Sequence, residues 1–160
     1  MTTRRRTAAR SMDDLDRMLD DLVARVGGMR HAVVLSPDGA VISASGGLSP
    51  RDAEHLAAVA SGFHGLARSA DRRTRGGPAR QTVIDTGAGR LFVAAVAGGA
   101  CLAVLTTEGA DPAAVAAETD RAAERVVSPL PVRPGAPGYP EEPAGGGTED
   151  HSEGTRRCER

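Results

Sequence analysis

Three arginines lie close together in a short glycine-containing segment, and their positive charges could stabilise negative charge on a bound partner. Arg72, Arg73 and Arg75 lie in RRTRGGPAR, residues 72 to 80, which is predicted to be a basic loop. An arginine on such a loop could act as an arginine finger that stabilises charge on a nucleotide held by another protein. The alternative is a solvated, mobile loop, which the glycines of the segment favour.

The other residues that could act as nucleophiles, bases or metal ligands form no catalytic pattern. His31, His55 and His64 are scattered, and a helical period places the last two on opposite sides of one helix, which indicates surface or structural histidines. Cys101 lies in an apolar run, so we expect an inert core thiol. The aspartates of residues 13 to 21 wrap around a predicted helix and indicate a solvated face. We therefore expect no catalytic residue, no metal site and no cofactor.

The composition excludes further classes of function. The chain has 160 residues with a formal net charge of −1, and only 2% of them are aromatic. It therefore offers no aromatic platform for nucleic-acid bases and no overall field that attracts DNA. All 20 basic residues are arginine, which excludes a Walker-type phosphate loop and a Schiff-base lysine. The two cysteines form no CxxC pair, which indicates a reduced, cytoplasmic protein.

The longest uncharged segment, residues 91 to 105, is shorter than the roughly 20 residues that span a bilayer. Its paired glycines favour two strands joined by a tight turn. We expect a soluble protein without direct membrane insertion, which reaches a membrane, if at all, through its partners.

Hydrophobic periodicity predicts three helices and five strands in the order αββαβββα between residues 11 and 128. Residues 1 to 10 form a basic arm and residues 129 to 160 a Pro/Gly-rich tail, and both are predicted to be disordered. An antiparallel five-stranded sheet with helices on its faces is the expected α+β fold. The strands are predicted over 31–36, 40–45, 81–86, 90–97 and 100–107, and the helices over about 11–26, 49–70 and 111–127.

The second predicted helix has an unusual stripe of small residues. Its large apolar residues and several alanines are predicted to face the sheet. The opposite side is predicted to contain only glycine, alanine and serine. Each interior glycine costs about 1 kcal/mol relative to alanine, so the stripe favours close approach of another helix, as in a two-fold dimer. The alternative is tolerated flexibility on a solvated face. The sheet-facing set is Leu56, Val59, Phe63 and Leu66 with Ala53, Ala57, Ala60 and Ala67; the small-residue set is Ala58, Gly62, Gly65 and Ser69.

The strand at residues 81 to 86 is a second candidate contact. It follows a long loop and begins a three-strand meander, so we expect it at an edge of the sheet. An exposed edge with Thr82, Val83 and Ile84 favours pairing with another chain.

Three segments of the sequence resemble the Roadblock/dynein light chain 7 family. They are LDDLVARVGGMRHAVVLSPDGAVISAS, LSPRDAEHLAAVASGFHGLAR and RQTVIDTGAGRLFVAAVAGGACLAVLT. The similarity covers residues 13 to about 127. More narrowly, the segments resemble the small roadblock proteins encoded in actinobacterial conservon operons.

The resemblance implies a fold, an assembly and a class of partner. It implies an αββαβββα sandwich with one helix on one face of the sheet and two on the other. It further implies a homodimer formed by the middle helix and the third strand. Members are not enzymes; they bind small Ras-like GTPases, and some bacterial members are their GTPase-activating proteins. Conservon members resemble parts of a membrane-associated complex with a GTPase and a sensor-kinase-like protein.

The leading hypothesis is a non-enzymatic, dimeric regulator or adaptor of a small Ras-like GTPase in a bacterial signalling complex. The alternative is a nucleotide-independent scaffold for a sensor-kinase-like partner. Because the family does not generally depend on an inserted arginine, Arg72, Arg73 and Arg75 become weaker candidates. The expected interface residues are Ala58, Gly62, Phe63, Gly65, Leu66 and Ser69 for helix contacts, and Thr82 and Ile84 for strand pairing.

Overall fold

The computed structural model describes residues 11 to 126 except 75, 76, 78 and 79. The predicted basic arm (1–10), the predicted tail (129–160) and Arg75 lie outside the described residues. The elements follow the predicted order αββαβββα. They are α1 (Met12–Arg25), β1 (Met29–Leu35), β2 (Val41–Ala44), α2 (Pro50–Thr74), β3 (Gln81–Thr86), β4 (Gly89–Ala95), β5 (Cys101–Thr106) and α3 (Pro112–Arg125).

All five strands form one antiparallel sheet with the order β2-β1-β5-β4-β3. The meander β3-β4-β5 and the hairpin β1-β2 are as predicted, and β1 joins the two units by pairing with β5. A short 3₁₀ turn, Ala97–Gly99, separates β4 from β5, so β4 ends two residues before its predicted end. The expected edge position of β3 is confirmed.

The two faces of the sheet are covered by different helices. On one face, α1 and α3 pack against Phe92, Leu102 and Val104. On the other face, α2 alone packs against strand residues that include Val33 and Val93. The arrangement of one helix against two, which the family resemblance implied, is therefore present.

Each helix begins at a side chain that caps its first turn. Ser11 Oγ accepts a hydrogen bond from the Asp14 amide, and Asp111 accepts one from the Ala113 amide. At α2, the Ser49 hydroxyl accepts from the Asp52 amide and donates to the Asp52 carboxylate. These contacts satisfy backbone donors that a helix leaves unpaired, so the predicted starts are confirmed.

The end of α2 differs from the prediction. The helix continues to Thr74 instead of ending near residue 70, so Arg72 and Arg73 lie in its last turn and not in a loop. Basic side chains at a helix C-terminus interact favourably with the negative end of the helix dipole, and this offsets the loop-forming tendency of the glycines that follow.

Gly89 is required by close packing and not only by a turn. A Cβ atom at this position would lie 1.9 Å from the carbonyl oxygen of Thr106 on β5, and the residue has φ +152°. The β3-β4 hairpin therefore closes directly against β5 and fixes β3 at its edge position.

Candidate functional site

The outward surface of α2 brings together six of the eight predicted interface residues. All six are exposed, on the side of the helix that points away from the sheet. Phe63 is 42% exposed and Leu66 is 67% exposed, although they are among the largest apolar side chains of the helix. We call this surface the outward face of α2; it consists of Ala58, Gly62, Phe63, Gly65, Leu66 and Ser69.

The prediction that Phe63 and Leu66 face the sheet is wrong. Alanines 53, 57 and 60 and His64 make that contact instead, while Leu56 and Val59 are half-buried at the flank of the helix. The sheet beneath α2 presents the bulky side chains Val33, Leu35, Leu91 and Val93, which are buried in the same cluster as these alanines. Small helix residues allow α2 to pack closely on those side chains, and the larger ones are displaced to the flank and outward.

The two glycines of this face are not required by packing within the chain. A Cβ atom at Gly62 or Gly65 would have no neighbour within 4 Å. Both residues lie in the helix interior, where each costs about 1 kcal/mol relative to alanine. Within the described part of the chain, no contact offsets this cost.

Thr82 and Ile84 occupy a different position from the other six residues. Both are half-buried on β3, on the side of the sheet that α2 covers, and Ile84 packs into the core beneath the helix. The alternation of the strand places Val83 on the opposite side, where it is 50% exposed. Val83 was predicted at the strand edge but is not among the predicted interface residues, although the alternation within QTVIDT indicates that it faces away from Thr82 and Ile84.

The backbone of β3 has a free side. The strand pairs with β4, and no strand of the described chain pairs with its other side. The hydrogen bond from the Ala95 amide to the Arg80 carbonyl fixes the ladder, since bonded pairs alternate along it. Thr82 and Ile84 therefore bond to β4, whereas the amides of Val83 and Asp85 point outward.

His64 joins α2 to this edge strand. It is 5% exposed, and its Nδ1 atom lies 3.4 Å from Thr82 Oγ1. Burial lowers the pKa of His64, and the positive charge of Arg68 lowers it further, while Asp71 opposes both. The imidazole is therefore neutral at pH 7 and acts as a structural residue. His55, on the other side of the helix, is exposed.

The described residues offer little for catalysis. Burial raises the pKa of the Cys101 thiol, so this sulfur is protonated and shielded at neutral pH. Arg72 and Arg73 are exposed at the end of α2. Among the described residues, no three His, Cys, Asp or Glu side chains are grouped so that they could hold a metal ion. The same part of the chain contains no helix that is both long and apolar enough to cross a membrane.

The chain is therefore an α+β sandwich in which, among the described residues, the outward face of α2 and the outer edge of β3 are uncovered. The Roadblock/LC7 domain matches residues 15–106, which is more than half of the chain. The protein belongs to the Roadblock/LC7 family.

Solved structures share this fold. A Roadblock/LC7 domain from Streptomyces avermitilis is 42% identical, with a TM-score of 0.64, over 68% of this chain and 90% of that one. MglB in a tetrameric arrangement is 19% identical, with a TM-score of 0.64, over 71% and 85% of the two chains. Myxococcus xanthus MglB is 14% identical, with a TM-score of 0.65, over 72% and 94%. The comparison with curated proteins finds no match.

Proposed function

We propose that this protein is a homodimeric regulator or adaptor of a small Ras-like GTPase in a bacterial signalling complex. The observation that supports it most directly is the outward face of α2, which is apolar and lies beside the free edge of β3. The protein acts by binding and not by chemistry of its own. It reaches the membrane through its partners, as its resemblance to conservon proteins implies.

The composition of α2 supports a second copy of the chain as the first partner. Residues 56–67 contain no Asp, Glu, Lys or Arg, although five of these twelve residues are exposed. A solvated helix face normally has charged side chains. Complete burial of a fully exposed large apolar side chain is worth about 1.5–3 kcal/mol, and Leu66 still exposes 67% of its surface. In a two-fold dimer, both copies contribute this face, so each such contact is made twice.

The glycines and the strand edge fit the same assembly. Gly62 and Gly65 present only backbone to an approaching helix, which allows a short distance between helix axes. β3 offers outward amides at Val83 and Asp85, to which a strand of the second copy can bond. The tetrameric arrangement of MglB supports self-association within this fold.

The GTPase is proposed from the family. Roadblock proteins bind small Ras-like GTPases, and some bacterial members accelerate GTP hydrolysis by them. A groove between the paired α2 helices is a suitable binding surface for such a partner. If the dimer binds one nucleotide state more tightly, it shifts the switch regions of the GTPase towards that state. Arg72 and Arg73 are exposed in the last turn of α2, and the proposal does not depend on them.

The test is affinity capture from a lysate of the source organism with the full chain as bait. Parallel samples contain GDP or a non-hydrolysable GTP analogue, and mass spectrometry identifies the captured proteins. A small GTPase enriched with the GTP analogue supports the proposal, and hydrolysis rates then separate an activator from an effector. A Gly62→Arg bait is the matched control, because it retains the chain but is designed to block the dimer.

Two other outcomes contradict parts of the proposal. Equal recovery in both nucleotides indicates a nucleotide-independent scaffold, the function expected if a sensor-kinase-like protein is the main partner. Absence of any GTPase from both samples contradicts the GTPase assignment and leaves the dimer to be tested separately.

A further inference from the structure

A second surface lies on the face of the sheet opposite α2, in the groove between α1 and α3. The groove has a volume of about 370 Å³. Its floor is apolar and consists of Met18, Leu22 and Ala122. The proposed dimer interface is on the other side of the sheet, so both surfaces can be occupied at once.

The rim of this groove has an excess of positive charge. Arg25, Arg121 and Arg125 line it together with a single carboxylate, Glu118. Arg25 Nη1 lies 3.7 Å from Glu118 Oε2, and Arg121 forms a salt bridge with Glu118 Oε1. Three arginines therefore share one lining acid, which leaves two positive charges without a counter-charge in the groove.

Arg125 adds an unpaired donor to this group of arginines. Its Nε atom is buried and has no hydrogen-bond partner among the described residues. A buried guanidinium donor without an acceptor destabilises the fold. Arg125 lines the groove and its side chain as a whole is only half-buried, so a carboxylate in the groove can form a charge-assisted hydrogen bond with its guanidinium group.

The sequence that follows α3 contains carboxylates. Helix α3 ends at Arg125, which lines the groove. Residues 139–153 follow in the sequence YPEEPAGGGTEDHSE. This segment, called here the acidic segment, contains five Asp or Glu residues and no Arg or Lys. Residues 127–138 can span on the order of 40 Å when extended, which is ample for a return to the groove.

We infer that the acidic segment of the same chain docks in the α1–α3 groove. Its carboxylates pair with Arg25, Arg121 and Arg125, and the ring of Tyr139 packs on the apolar floor. The argument does not depend on the GTPase assignment. A docked segment makes the groove a regulated surface, because an acidic peptide of another protein must displace it to bind there.

The sequence provides a built-in probe for this contact. Tyr139 is the only tyrosine and the chain has no tryptophan, so tyrosine fluorescence reports on the acidic segment alone. In the full chain at low salt, we expect high fluorescence anisotropy and weak quenching by acrylamide. High salt should lower the anisotropy and increase the quenching, because it screens the ion pairs.

Variants of the full chain that replace arginines by neutral glutamines test where the acidic segment binds. The triple variant Arg25→Gln, Arg121→Gln and Arg125→Gln should show the fluorescence of an unbound segment already at low salt. The matched control, Arg51→Gln, Arg72→Gln and Arg73→Gln, makes the same change in charge on α2 and should behave like the parent. Circular dichroism confirms that both variants fold.

A spin label on Cys158 gives an independent measurement of location, since Cys101 is buried. Broadening of backbone amide signals from α1 and α3, and not from α2 or β3, supports the proposal. Three results would overturn it: a Tyr139 that is fully accessible in the parent chain, equal effects of the two triple variants, or broadening confined to α2. Broadening seen only between labelled and unlabelled copies would also contradict docking within one chain.

Discussion

His64 on α2 and Thr82 on β3 meet at the edge of the helix–sheet interface, where 3.4 Å separates Nδ1 from Oγ1. The contact links the helix that presents the proposed interface to the strand that extends it. Because burial lowers the pKa of His64, the imidazole is neutral at pH 7 and pairs with a neutral hydroxyl. Protonation of His64 would place a positive charge in this buried contact.

Acidification should weaken the fold through His64. The unfolded histidine titrates at about its ordinary value, 6.5, whereas the pKa in the folded chain is lower. Between these two values the unfolded chain binds more protons, so the free energy of unfolding falls as pH drops below about 6.5. The contribution is fully present above that pH. Urea unfolding of the parent and of His64→Gln, at about pH 7.5 and about pH 5.5, measures it.

The glutamine variant keeps a hydrogen-bonding group but cannot titrate, so its stability should change less with pH than that of the parent. His55→Gln is the control, because His55 is exposed. If the parent and His64→Gln show the same dependence on pH, the neutral contact to Thr82 is not what couples stability to pH.

The packing of α2 predicts which of its residues tolerate a change in size. Ala57 is fully buried against the sheet, so Ala57→Leu should destabilise the chain by about 1–3 kcal/mol through overpacking. Leu66 is 67% exposed, so Leu66→Ser should change the stability of the single chain by about 0.5 kcal/mol or less. Urea unfolding at low protein concentration measures both values, and the reverse ranking would contradict the observed orientation of α2.

The orientation of α2 also shows where sequence reasoning succeeded and where it did not. The helix starts at Ser49 and Asp111 were predictable because capping depends on a few neighbouring residues. The meander was predictable because short glycine turns join its strands. The face of α2 was not, because the helical period allows two orientations for a helix with apolar residues on most of its surface. The bulk of Leu91 and Val93 on the sheet decided between them.

Local sequence patterns could not predict the arginine-lined groove either. The α1–α3 groove combines Arg25 with Arg121 and Arg125, which are about a hundred residues away in sequence. No spacing pattern connects residues on two helices whose proximity is set by the sheet between them. The end of α2 at Thr74 was missed for a different reason, because the glycines after Arg75 favoured an earlier end of the helix.

The proposed dimer predicts a clear effect of Gly62→Arg. Nothing lies within 4 Å of a Cβ atom at this position, and arginine favours a helix by roughly 0.5–1 kcal/mol over glycine. The variant should therefore fold at least as well as the parent but remain a monomer. Light scattering coupled to size-exclusion chromatography measures the mass. Ala117→Arg, on the exposed side of α3, is the matched control and should remain a dimer.

A dimer that persists in Gly62→Arg would remove this helix face from the interface, while leaving β3 as a candidate. A monomeric parent would contradict the dimer altogether. The small residues would then reflect tolerated flexibility on a solvated helix face. Gly62→Ala adds a graded test, because a single methyl group lengthens the closest approach of the helices without adding charge.

The hydrogen-bond pattern between β3 and β4 predicts that proline has different effects at two adjacent positions of β3. The amide of Val83 points to the free side of the strand, so Val83→Pro should leave the β3-β4 bonds intact and disrupt pairing between copies. The amide of Ile84 bonds towards β4, so Ile84→Pro should destabilise the fold itself. Val83→Thr keeps the amide and should behave like the parent. Circular dichroism and light scattering on the three variants separate folding from assembly. A Val83→Pro chain that is folded and still dimeric would show that the copies join through α2 without strand pairing.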